Sequence, residues 1–143
     1  MNTNRSVMVA PLKSKSYLSI PVSTLLEGKD RKSVMLACEL LLDGKVVSSN
    51  EYFFEPYKNL NVPTAQINRE VTPTRRGFKI TLVSDKFAKA VYLSLPDADG
   101  LFSDNYFDLL PGQKTEVEFR SRAPLTLNDV RSRLKVRSMK DAF

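Results

Sequence analysis

Along most of this chain, apolar side chains return at every second position, in short runs that stop at Gly, Pro, Asp or Asn. A period of two puts alternate side chains on opposite faces of an extended backbone, so these runs read as half-buried strands. Val34, Leu36, Cys38, Leu40 and Leu42 form one such face, followed by Asp43-Gly44 and a second run to Phe54. Asp-Gly favours the type I′ turn of a two-residue hairpin. A strict two-residue register would set Ser49 and Glu51 opposite Cys38 and Leu36, which an apolar face resists, so the register stays open; a bulge near the turn would relieve the conflict. Further on, Phe78, Ile80 and Leu82 share a face, as do Val91, Leu93 and Leu95, and then Val117 and Phe119. Pro73 either ends the strand over 66–72 or confines it to a sheet edge. A shorter strand is expected over 16–20, stopping at Pro21.

Two segments break the rhythm. Residues 23–28 read as one helical turn, with a Ser or Thr cap and Gly28 to close it. Thr126-Leu127-Asn128-Asp129 opens a second helix, with Thr126 as cap and an acid three residues on, at the positive end of the helix dipole. That helix should run to about Arg133 before 134–138 returns to strand. Short antiparallel strands with one short helix before the last make the expected fold all-β, an immunoglobulin-like β-sandwich. The polar, proline-flanked stretch 56–64 is the natural boundary. Residues 64–143 hold enough strands to close a small sandwich, whereas 1–63 do not.

Composition removes several classes of chemistry. There is no histidine and a single cysteine, so Ser-His-Asp and Cys-His nucleophiles and ordinary zinc sites are excluded. One cysteine also excludes an intrachain disulfide, and Cys38, in phase with apolar neighbours, is expected to be buried and inert. No apolar run approaches the roughly 18–20 residues of a membrane-spanning helix, and no membrane partner is expected. Residues 1–6 are polar and lack the apolar centre of a signal peptide. The net charge is +6, and the stretch from Arg120 onward carries +5 of it. A basic tail suits nucleic acid, a solvated face or an acidic neighbour. Without interleaved aromatics or a known nucleic-acid module, nucleic acid is not expected as a partner.

The segment 102–112 opens on Phe102 and sets Tyr106, Phe107 and the pair Leu109-Leu110 between a polar turn, Ser103-Asp104-Asn105, and the turn Pro111-Gly112. Asp and Asn side chains bond their own backbone and tolerate left-handed geometry, and Pro-Gly suits a type II turn. Local chemistry therefore gives a shaped inter-strand loop. Taken with the ending Leu134-Lys135-Val136-Arg137-Ser138-Met139-Lys140-Asp141, the Phe-Ser-Asp-Asn-x-Phe loop resembles the C-terminal region of β-mannosidases, in glycoside hydrolase family 2. The resemblance reaches upstream to about Ser33, through Tyr52-Phe53-Phe54 and Asn61-Val62-Pro63.

That resemblance implies a non-catalytic, immunoglobulin-like module of a retaining glycosidase that cleaves terminal β-D-mannose. Residues 1–63 would be the second half of a preceding immunoglobulin-like domain and 64–143 the terminal one, with Met1 not the natural start of the gene product. The parent's catalytic glutamates lie on a barrel that this chain cannot contain, so no catalytic, cofactor or metal residue is assigned. Phe102, Ser103, Asp104, Asn105 and Phe107 are expected to act structurally. The implied partners are the catalytic barrel and other domains of the parent, with self-association of the isolated chain through its uncovered hairpin. The chain itself points to no compartment; that of the parent would be periplasmic, secreted or lysosomal-type.

Three other site readings compete with these. Asp104 and Asp108 share a loop and are formal candidates for a carboxylate pair across a sugar. The turn Asp97-Ala98-Asp99-Gly100 fails the EF-hand pattern, because aligning Gly100 with its glycine puts Leu95 first and Tyr106 last; a hydrated turn is expected. Tyr52, Tyr57, Tyr92 and Tyr106 could stack on sugar rings, making the chain a carbohydrate- or polyanion-binding module.

Overall fold

Asp43 and Gly44 both adopt positive φ, 50° and 76°, which is the backbone of a type I′ turn. The turn joins β1 (Met35–Leu42) to β2 (Lys45–Phe53) in an antiparallel ladder whose register shifts between Leu40 and Leu41. That bulge pairs Leu36 with Tyr52 and Cys38 with Asn50, so the clash of a strict register is avoided. The computed structural model describes residues 3–142 and parts into two units, Met1–Asn61 and Val62–Phe143.

In the first unit, α1 (Val22–Leu26) begins after Pro21, and no side chain caps it. The expected Ser or Thr cap is therefore corrected: proline supplies the entry φ, which puts Ser23 and Thr24 inside the helix. Glu27, at φ 47°, and Gly28, at φ 76°, end it. Residues 16–20 form no strand; they find no ladder partner, and β1–β2 is a two-stranded sheet. Asn61 closes the unit, its Nδ2 donating to Asp30 Oδ2 (3.1 Å) and to Ser33 Oγ (3.0 Å). The apolar hairpin residues Leu40, Leu42 and Val46 are 51%, 63% and 53% exposed. Cys38 is exposed as well, contrary to expectation, because a two-stranded ladder has no facing sheet to bury its apolar side.

The second unit is a two-layer sandwich. One sheet has the order β3 (Ile67–Thr74), β4 (Gly77–Ser84), β8 (Lys114–Ser121), β6 (Gly100–Phe102), and the other β7 (Phe107–Leu109), β5 (Ala88–Ser94), β9 (Lys135–Arg137). The named strands pair antiparallel throughout, and an isolated parallel bridge joins Ser84 to Pro111. Pro73 lies within β3, an edge strand, where its missing N–H costs no ladder bond. The core joins Val71, Phe78, Ile80, Leu82, Val117 and Phe119 of the first sheet to Ala88, Val91, Leu93 and Leu109 of the second. Each large side chain so buried stabilises the unit by about 1.5–3 kcal/mol. Gly100 is needed in β6, since a Cβ there would strike the Phe119 ring and the Arg120 carbonyl.

A short helix, α2 (Leu127–Arg133), precedes the last strand and is closed at its start by a capping box between Thr126 and Asp129. It delivers Val130 to the core, and the chain leaving it delivers Leu134. Arg131 donates to the Val71 carbonyl at 3.2 Å, and Arg69 donates to that of Leu134. These two bonds tie the helix to the β3 edge. The second unit is thus the all-β sandwich with a helix before the last strand that the alternation predicts.

Candidate functional site

β7 pairs with β5 as far as Phe107 opposite Val91, and then the chain turns away. The next rung on that edge belongs to Leu93. Asn105 fills it with its side chain: Oδ1 accepts from Leu93 N at 2.7 Å and Nδ2 donates to Leu93 O at 2.9 Å. These are the two bonds that a paired strand residue would exchange, so an amide side chain extends the ladder where backbone does not reach. Asp104 Oδ1 accepts from Asn105 N at 2.7 Å and fixes the turn before it. Ser103 holds the other sheet, donating its N–H to Glu118 O (2.7 Å) and accepting from Glu118 N at Oγ (2.9 Å). The loop is therefore pinned to β8 at one end and to β5 at the other.

Aromatics fill in behind these bonds. The Phe102 ring lies 4.8 Å from that of Phe119, and Phe102 and Phe107, both partly buried, pack against the core. Tyr106 is held at φ 63°, a left-handed backbone that costs a bulky residue about 1–3 kcal/mol. Its N–H donates to Val91 O at 2.8 Å, while its ring stacks on Tyr92 with centroids 4.9 Å apart and planes 25° from parallel.

The two formal carboxylate candidates have other occupations. Asp104 is the turn acceptor just described. Asp108 Oδ2 lies 2.6 Å from Lys89 Nζ, their side chains 10% and 15% exposed, and its Oδ1 accepts from Ala90 N at 2.9 Å. Ala90 sits at φ 48° where β5 bulges between Ala88 and Val91, so Asp108 holds an irregular strand in register.

Elsewhere, Asp99 pairs with Arg122 at 3.5 Å, and among the described residues no three His, Cys, Asp or Glu side chains cluster as metal ligands. No helix among them is long and apolar enough to cross a membrane. Tyr52 and Tyr57 flank an open groove lined by the continuous run 51–57 and make edge contacts with Phe54 and Phe53. In the basic tail, Arg131 and Arg133 turn back to backbone carbonyls of their own unit. Lys135 and Arg137 are exposed on β9. Among the described residues, Lys79 and Asp129, both outside the loop, have displaced titrations. A hydrogen bond and the charge of Glu116 hold Lys79 above its ordinary value, and hydrogen bonds from Thr126 hold Asp129 below its own.

Reasoning from sequence singled out the 103–105 turn but missed Lys89, Ser103's hold on Glu118 and the pairing of Tyr92 with Tyr106. The bulge at Ala90, which aligns Asp108 with Lys89, leaves no mark in the apolar pattern.

Comparison with known proteins gives this geometry a context. A mannosidase family model described as an Ig-fold domain matches residues 62–142, and a second, described as a mannosidase Ig/CBM-like domain, matches residues 2–59. No curated protein matches at a significant level. Among solved structures, a β-D-mannosidase from Dictyoglomus thermophilum is similar at 29% identity with a TM-score of 0.62 over 73% of this chain. The match spans 13% of that enzyme's length.

Proposed function

We propose, from the premise that this chain belongs to the mannosidase Ig-fold domain family, that it is a non-catalytic module of a β-mannosidase-like retaining glycosidase and acts as a scaffold docked on the catalytic barrel. The carrying observation is the tandem match of two mannosidase Ig-type domains over 2–59 and 62–142, with a solved β-D-mannosidase similar over most of the chain. The parent would release terminal β-D-mannose from glycans or mannooligosaccharides. Residues 64–143 would be its terminal immunoglobulin-like domain and 1–63 the second half of the one before. The two strands found among the described residues of the first unit, against the seven or more of a complete immunoglobulin sandwich, support that division. Phe102, Ser103, Asp104, Asn105 and Phe107 would hold the end of the terminal sandwich and take no part in chemistry.

A second reading, a glycan-binding module, is favoured by one observation: the exposed stacked pair Tyr92 and Tyr106. Calorimetric titration of the chain with mannan and mannobiose separates the two. The scaffold reading expects no saturable heat, and saturable binding to mannan would replace it. The adjoining reading frame tests the parent: a barrel-encoding sequence upstream supports the proposal, and its absence rejects it.

A further inference from the structure

The outer face of the β7-β5-β9 sheet carries a composition that the unit's own stability does not call for. Tyr92 points outward between buried Val91 and Leu93, and directly across from it on β9 is Arg137, with Lys135 across from Ser94. The loop adds Tyr106, stacked on Tyr92 and 67% exposed. A ring that exposed recovers little burial energy, yet it is held at a left-handed φ that a glycine would adopt without strain. Asn105's two bonds to Leu93 immediately before it keep that backbone in place. Strain of this kind on an exposed ring that adds little to burial is consistent with a use outside local folding, unlike Ala90, whose strain serves the β5 bulge. Lys135 and Arg137 make no ion pair among the described residues, in contrast to Arg120 and Arg122, which pair with Glu118 and Asp99.

We infer that this face is where the terminal unit meets an acidic surface of another domain of its parent enzyme, with Tyr92, Tyr106 and Arg137 as anchors. The inference rests on the scaffold reading and adds to it a face and a partner chemistry. Tyrosine and arginine are the residues enriched where truncation costs an interface most. Two unpaired cations beside them call for carboxylates opposite and disfavour a neutral sugar, which would leave both charges unanswered.

The test titrates the full chain into the remainder of the parent enzyme, produced without it, and reads the dissociation constant by calorimetry. Tyr106→Ala and Arg137→Glu should each weaken binding at least tenfold, and added salt should weaken the wild-type complex. Arg75→Glu, on the β3–β4 turn, should leave it unchanged. Arg137 lies on β9, outside the loop, so Arg137→Glu keeps the test decisive if Tyr106→Ala disturbs the loop. Wild-type affinity in both anchor variants would overturn the inference and leave the scaffold reading standing. Failure of the wild-type chain to bind would overturn both, as would an adjoining frame without a barrel. Saturable mannan binding abolished by Tyr106→Ala would reassign the face to sugar and overturn the inference.

Discussion

Asp108 shows how far a single side chain's role depends on register. From the sequence it is one of two acids in a loop. In the fold it neutralises a largely buried lysine and satisfies the N–H of a strained residue. Removing one partner of a buried pair costs about 3–5 kcal/mol because the other charge is left without compensation. Asp108→Ala should therefore lower the melting temperature far more than Asp104→Ala, whose acceptor role lies on an exposed turn; equal melts by calorimetry would contradict this. Asp129 was legible in advance, because a capping box is written in consecutive residues. Hydrogen bonds from Thr126 depress its folded-state pKa, so its contribution is present above the ordinary carboxylate range and is lost as pH falls through the lowered value. Asp129→Asn should flatten the stability profile on that acid side, read from denaturation midpoints against pH, and leave the lysine range untouched. Lys89 opposite Asp108 was not legible, since the bulge that aligns them arises from packing and not from any local pattern.

At the scale of elements, period-two alternation located β4, β5 and β8 because both faces of the sandwich impose it. The same signal misled at 16–20 and at Cys38. Alternation reports which face could be buried; whether a partner exists to bury it is a tertiary question. The β1–β2 hairpin exposes Leu40, Leu42 and Val46 by half or more, and two-stranded ladders are marginal in water. An open apolar edge invites a second copy. Light scattering of the isolated chain should report a dimer or larger at micromolar concentrations, and Leu40→Asp should disperse it. Cys38, on the same face, should react quickly with a thiol reagent at high dilution and slowly once associated. A monomer at every concentration, with an equally reactive thiol throughout, would reject self-pairing through this face.

For the whole molecule, the expectation is silence in two assays. The purified chain should release no nitrophenol from p-nitrophenyl β-mannoside, since Asp104 and Asp108 are occupied in turn and strand contacts; turnover abolished by Asp108→Ala in a chain that still folds would overturn this. Nor should it bind DNA or RNA at nanomolar concentration in physiological salt, because Arg131 and Arg133 are turned to carbonyls of their own unit and exposed charges are screened; a nanomolar complex in a gel-shift assay would contradict it. The central strand β5 has β7 on one edge and β9 on the other, so Leu93 must wait for Val136. A ribosome delivers those residues in order, and the later one stays in the exit tunnel while the earlier is already outside. Until residues 135–137 emerge, an apolar strand has one open edge, and long-range pairing of this kind closes slowly. The nascent chain thus passes through an interval, set by the pace of translation, in which a chaperone has something to hold.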